Sequence, residues 1–346
     1  MDEKYISALL ACLKTHLKSH PEASEKDIEK FIFQGMLGVG HLLGDRDAVV
    51  KRMLDEVSDL AADAEEPLTE FLSPAWCRLN LRRAMAEGLS AEVIGRMMLA
   101  PADVPAFTRI EVYDVCRAQV ENASPRMLDP QWLPEHSERY RACYHPAYRV
   151  IPADWMPCME AICRISREKT GRCLATIDGP CASGKTTLAA KLAELFDAAV
   201  LHTDDFVVPH RYKTPDRLAI PGGNCDWERL TEETLIPWKN GGPLRSRRYA
   251  FREDRMLDWE TAENDDMLIL EGSYCNLPAI RALADLRIYV DTPWEERKKR
   301  LEKRESPQSL MGFYTRWIPL ENAYFTAYSL PDAGCIVIRG NGREAY

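Results

Sequence analysis

At 346 residues, 46% hydrophobic and 29% charged, the chain has ordinary globular composition and enough length for about two domains. Its net charge of −9 argues against a protein that coats nucleic acid or anionic membrane, so neither is expected as a partner. No apolar run approaches the roughly 18 residues of a membrane span, no signal-peptide core precedes a cleavage site, and the eleven cysteines are scattered without zinc-site spacing; a cytoplasmic protein with reduced thiols is expected.

The first 150 residues read as helical. In "YISALLACLKTHL", Ile6, Leu9, Leu10, Leu13 and Leu17 recur at helical spacing. "DAVVKRMLDEVSDLA" repeats the pattern with Val49, Val50, Met53, Leu54, Val57 and Leu60. Ser90 is a candidate N-cap for "AEVIGRMMLA", which Pro101 stops, and "DVPAFTRIEVYDVCRAQVENA" predicts another helix. Glycine costs about 1 kcal/mol relative to alanine inside a helix, so Gly35, Gly38 and Gly40 in "FQGMLGVGHLLGDRD" predict close packing or a bend. His41 reads as structural rather than functional. Arg78, Arg82 and Arg83 in "CRLNLRRAM" suit either an anion site or a solvated face. "YHPAYRVIPADWMP", with three prolines, reads as a connection between a helical domain over 1–150 and a second domain over 151–346.

The second part alternates. "PCMEAICRISREK" predicts a helix and "CLATIDG" a strand. "TTLAAKLAELF" carries Leu188, Leu192 and Leu195 on one helix face. "AAVLHTDDF", "DMLILEG", "LRIYVDTP" and "CIVIRG" are further short apolar runs without alternation, as strands covered on both faces require. The order strand, helix, strand predicts an α/β fold, a parallel sheet with flanking helices, preceded by an all-α domain.

"GPCASGKT", residues 179–186, fits G-x-x-x-x-G-K-[ST] between a predicted strand and a predicted helix, the context a phosphate-binding loop needs. Small residues let the backbone curl so that amides face inward, and the helix start favours negative charge. Gly179, Ala182, Ser183, Gly184, Lys185, Thr186 and Thr187 are the expected cradle. Lys185 supplies a cation for the β- and γ-phosphates of ATP, and the Thr186 hydroxyl can ligate Mg²⁺. Asp204 and Asp205 close the next strand, at the end that faces the ligand crevice of a parallel sheet. Neighbouring strand residues point to opposite faces, so only one of them should face the phosphate. Glu271 ends another strand, where it could reach Mg²⁺ or an acceptor hydroxyl. Arg297, Arg300 and Arg304 share one helix face and suit the spread charge of a transferring phosphoryl group, with a solvated charged helix as the competing reading. No Asn-Lys-x-Asp segment favours a guanine-nucleotide switch.

These segments, with "NCDWERL" and "LRSRRYAFRED" between them, resemble the uridine kinase, phosphoribulokinase and pantothenate kinase group of P-loop kinases over roughly residues 172–340. The resemblance implies a P-loop NTPase-type sheet, Asp204 as catalytic base, Asp226 holding acceptor hydroxyls, Tyr249 beside the acceptor, and Arg297 and Arg300 as lid arginines. Uridine kinases carry Tyr-Asp-Phe with a histidine following; this sequence has Tyr249-Ala250-Phe251 and no histidine nearby in the chain. The tail "FYTRWIPLENAYFTAY" is similar to bacterial uridine kinase-like proteins, with Trp317 and Glu321 on one helix face and Trp317 expected to pack. The expected activity is transfer of the γ-phosphoryl group of ATP·Mg²⁺ to a small hydroxyl compound, nucleoside-like. Pantothenate-like or sugar acceptors are the alternatives, as is a nucleotide-responsive binding protein acting through the helical domain. Homo-oligomerisation stays open.

Overall fold

The computed structural model of the chain describes residues 2–38, 46–168, 171–262 and 266–340; Gly40 and His41 lie outside them. The chain divides into two compact units, Met1–Pro157 and Cys158–Asn341.

In the first unit, the helix Glu3–Ser19 starts at Asp2, whose carboxylate accepts from the Tyr5 amide at 3.0 Å and satisfies a donor that a helix start leaves unpaired. Tyr5, Leu9, Leu13 and His16 form its buried face, flanked by the partly buried Ile6, Leu10 and Leu17. Phe31, Ile32 and Met36 of the helix Glu25–Leu37 complete this core. Gly38 ends that helix at φ 60°, where a Cβ would fall 2.3 Å from the Trp76 ring, so close packing excludes any larger residue. The helix Arg46–Ser58 buries Val49 and Met53 but leaves Leu54 56% exposed, a narrower stripe than the sequence predicts. Ser90 caps the helix Ala91–Leu99 as expected, accepting from Val93 at 3.2 Å. A capping box of Thr108 and Glu111 delays the next helix to Arg109–Arg117, shorter than the segment read as helical.

Alongside the expected helices the unit carries a small antiparallel sheet, an addition to the all-α reading. Its order is β1 (Thr69–Phe71), β2 (Trp76–Asn80), β3 (Tyr148–Pro152). Strands this short display almost no alternation, and β2 is buried along nearly its whole length. β3 corrects the reading of 144–157 as a connection. Pro152 pairs with Trp76 and Tyr148 with Asn80, so this proline-containing stretch is built into the sheet.

A buried polar network ties helices to sheet. Glu70 accepts from Arg78 at 3.1 Å and meets His16 Nδ1 at 2.5 Å, while Arg78 also donates to Gln34 Oε1. Arg78 is therefore a core residue, not the partner of Arg82 and Arg83 in an anion site. Arg82 donates to the His145 carbonyl and Arg83 to Glu87. Asp27 accepts from the Ser137 amide and hydroxyl at 3.0 and 2.6 Å and meets His136 Nδ1 at 2.9 Å. Burial first, then the Lys30 charge, pushes His136 down to about 3 against the pull of Asp27. An unfolded chain binds that proton near pH 6.5 and the folded chain resists it, so stability present above pH 6.5 is lost as pH falls toward 3. At pH 5 the loss through His136 amounts to about 2 kcal/mol. Melting curves should show a smaller drop between pH 7 and pH 5 in His136→Gln than in wild type; equal drops would assign the acid sensitivity elsewhere.

The second unit holds five parallel strands. They are β4 (Cys173–Asp178), β5 (Ala199–His202), then, after two short antiparallel pairs, β10, β11 and β12. The pairs are β6 (Arg245–Ser246) with β9 (Glu260–Thr261) and β7 (Tyr249–Ala250) with β8 (Arg255–Met256). With β10 (Met267–Glu271), β11 (Leu286–Asp291) and β12 (Cys335–Arg339), the sheet order is β12-β11-β4-β10-β5. β4 and β10 are buried at every residue, which accounts for their unbroken apolar runs. The helices Met159–Glu168 and Lys185–Phe196 pack on this sheet, and the carboxyl ends of β4, β5 and β10 open onto one crevice.

Candidate active site

The phosphate loop leaves β4 through Gly179, at φ 143°, where a Cβ would lie 2.5 Å from the Val290 carbonyl oxygen. Ala182 and Gly184 also take positive φ, 59° and 105°, and the helix Lys185–Phe196 follows directly. The Leu188 amide is bonded back to Gly184 O at 3.0 Å. The amides of Lys185, Thr186 and Thr187 precede it and have no acceptor within the helix. Ser183 Oγ is buried with no partner among the described residues. Unpaired amides, a buried hydroxyl and the helix start form a cradle suited to phosphate. Lys185 arches over it, its Nζ donating to Gly179 O at 2.8 Å and Pro180 O at 3.0 Å.

Three groups brace this loop. Asp178 accepts from the Gly179 amide at 2.7 Å, the Asn276 amide at 3.0 Å and the Tyr324 hydroxyl at 2.6 Å. Its complete burial still raises the carboxyl to about 6. Glu321 accepts from the Cys181 amide at 2.9 Å and the Ser273 hydroxyl at 2.6 Å. From the helix Trp294–Arg304, Arg297 donates to Cys181 O at 3.4 Å and Arg300 to Ala182 O and Ser183 O at 3.2 and 3.1 Å. Arg304 instead pairs with Glu305, away from the loop. Trp317 is half-buried, with the Arg316 guanidinium 4.7 Å over its ring.

Glu271, at the end of β10, accepts from the Thr186 hydroxyl at 3.1 Å and meets His202 Nδ1 at 2.5 Å. The bond to Glu271 raises the His202 imidazole above its ordinary range. Two hard oxygen donors side by side suit a divalent cation such as Mg²⁺.

The strand reading of Asp204 and Asp205 needs correction. β5 ends at His202, and Thr203–Phe206 forms a 3₁₀ turn, so alternation across a strand does not separate the two acids. Their charged surroundings do. Desolvation raises the Asp204 carboxyl, opposed by Lys185 and reinforced by Glu271 and Glu321. Desolvation also raises Asp205, but the charges acting on it are His202, Arg248, Asp204 and Glu260. Asp204 thus belongs electrostatically to the phosphate loop and Asp205 to the β6–β9 side.

Asp226 and Tyr249 gather at the same turn. The Asp226 amide donates to Phe206 O at 2.6 Å, and β7, which carries Tyr249, packs on the Thr203–Phe206 turn. Both Asp226 oxygens accept from Arg229, at 3.3 and 3.1 Å. The Tyr249 hydroxyl donates to Asp254 and accepts from the His210 amide at 3.2 Å. The His210 ring lies 6.2 Å from Tyr249 and 4.5 Å from Phe251, edge to face. A histidine missing from the Tyr249 segment thus arrives from another part of the chain. Sequence reasoning missed His210, His202 and Asn224, whose Oδ1 is buried with no partner among the described residues. His202 alone left a local trace, as the last residue of a strand that opens on the crevice.

Strand, glycine-rich turn, helix and crevice acids define a phosphate-loop nucleotide-binding domain. Residues 174–302, within the second unit, match the model of the Phosphoribulokinase / Uridine kinase family. Solved structures similar to this chain include a possible uridine kinase from Bacillus stearothermophilus (23% identity, 52% of this chain and 100% of that one, TM-score 0.38). Others are deoxyadenosine kinase from M. mycoides (15%, 49% and 91%, TM-score 0.25) and a sugar kinase from Janibacter sp. HTCC2649 (17%, 49% and 86%, TM-score 0.27). No curated protein sequence matches the chain. Among the described residues, no helix is long and apolar enough to cross a membrane.

Proposed function

We propose that the chain transfers the γ-phosphoryl group of ATP to a hydroxyl of a small, nucleoside-like molecule, and that residues from 158 onward carry this chemistry. The observation that carries the reading is the phosphate cradle at the start of the helix Lys185–Phe196, with the Thr186 hydroxyl 3.1 Å from Glu271 beside it; the charge of Lys185 also acts on Asp204. Asp204 orients the acceptor hydroxyl and takes its proton, which an alcohol needs because it is a poor nucleophile at neutral pH. Lys185 and the loop amides hold the β- and γ-phosphates. Thr186 and Glu271 would hold Mg²⁺, which when bound neutralises phosphate charge. Asp226, Tyr249 and His210 line the acceptor side.

Arg297 and Arg300, now on loop carbonyls, stabilise the dispersed charge of the transferring group. Arg297→Ala and Arg300→Ala should each lower kcat on the order of 10²-fold with a smaller effect on ATP binding. Unchanged kcat in both variants would leave the two arginines as braces of the loop.

The acceptor is tested by incubating the protein with ATP·Mg²⁺ and nucleosides, sugars or vitamins, and weighing the product by mass spectrometry. A nucleoside monophosphate is expected. Phosphorylation of sugars or a pantothenate-like compound alone would reassign the acceptor. ADP release that no acceptor accelerates would support a nucleotide sensor and overturn the kinase reading.

A further inference from the structure

The first unit contains a cavity of about 370 Å³, within the roughly 300–1,000 Å³ of small-molecule sites. Every described residue lining it belongs to that unit, and none belongs to the phosphate loop. Phe33, Met53 and Met98 give it apolar wall. Lys30, Arg52 and Arg149 give it positive charge; among the described lining residues the one carboxylate is Glu56, which pairs with Arg149.

Two polar groups in this lining lack what they need. Lys30 is half-buried, and among the described residues its ammonium has no hydrogen-bond acceptor and no ion-pair partner; the Tyr148 ring lies 6.0 Å away. Burial, then the charges of Arg78 and Arg141, lowers this ammonium to about 8. Gln34 is buried with its carboxamide oxygen already accepting from Arg78 Nε and Nη2, and with the Tyr148 hydroxyl 3.2 Å away. The two guanidinium donors fix which end of the amide is oxygen. Its nitrogen is left with no acceptor among the described residues. A cation and an amide donor left unpaired in a half-enclosed space are costly, and one anionic group satisfies both. His136, also in the lining, has both ring nitrogens engaged, by Asp27 and Tyr148, and does not compete for that anion.

We propose that this cavity binds a small organic anion. Its carboxylate or phosphate is held by Lys30 and the Gln34 amide, and its apolar body lies against Phe33, Met53 and Met98. Arg52 and Arg149 add attraction at longer range.

The test is calorimetric titration of the full chain, saturated with ATP·Mg²⁺ so that the phosphate loop is filled. The probes are benzoate, phenyl phosphate and, as the neutral control, benzyl alcohol. One-to-one binding of benzoate or phenyl phosphate is expected, with none of benzyl alcohol; which anion binds tells carboxylate from phosphate. Lys30→Met should weaken that binding about 10- to 100-fold, and Lys30→Arg should largely retain it. Melting curves verify that each variant is folded, and Lys30→Gln replaces Lys30→Met if the latter is not. No saturable binding of either anion to wild type would overturn the proposal. So would equal binding of benzyl alcohol, or affinity unchanged without the Lys30 charge.

Discussion

Asp204→Asn is expected to lower kcat about 10²–10⁴-fold, the usual span of general-base help, while ATP affinity stays near wild type. Asparagine keeps the shape of the side chain and loses only the proton acceptor. The turn after β5 does not depend on the carboxylate, because Thr203 and Phe206 supply its buried anchors. Asp205→Asn should be milder, since the charges around Asp205 are His202, Arg248 and Glu260 rather than Lys185. If Asp205 instead serves Mg²⁺, its defect should ease at high Mg²⁺, so both variants are measured across Mg²⁺ concentrations. The raised Asp204 carboxyl adds a pH signature. A base with an elevated pKa loses its acceptor form earlier on acidification, so the acid limb of the wild-type kcat profile should lie above the ordinary aspartate range. An inactive Asp205→Asn beside a near-normal Asp204→Asn would refute the assignment.

Lys185→Ala is the second large effect, a loss of turnover on the order of 10²–10³-fold or more. The ammonium is almost wholly buried and donates to the loop carbonyls of Gly179 and Pro180 at 2.8 and 3.0 Å. Lys185 makes no direct ion pair among the described residues, and Asp178 keeps its hydrogen bonds from the Gly179 amide, the Asn276 amide and the Tyr324 hydroxyl, so the fold should survive with a stability change of about 1 kcal/mol. Equal turnover of mutant and wild type with the best acceptor would remove the phosphate loop from the reaction.

The phosphate loop was legible because its requirements are local. A strand, a turn that tolerates positive φ, and a helix start must follow one another within a dozen residues, and the residue types are constrained at each step. The sheet was legible for a similar reason, since strands buried on both faces leave apolar runs. The sheet of the first unit left no such trace, because β1 has three residues and β3 lies in a segment whose prolines suggest a connection. Glu321 and His210 gain their places only through contacts made across the folded chain, which spacing cannot report. The division between Asp204 and Asp205 was sought in strand alternation, whereas the chain leaves the strand first and the surrounding charges separate the two acids.

The brace formed by Glu321 and Tyr324 has a consequence for biosynthesis. The loop they hold is translated about 140 residues before them, an interval on the order of 10 s at roughly 5–20 residues/s. A nascent chain therefore exposes its nucleotide loop to the cell well before the partners of Cys181 and Asp178 leave the ribosome. Chains cut short before residue 321 lack both partners. Closure of the brace is in this way deferred until the segment around Glu321 and Tyr324 has been made, about 140 residues after the loop itself.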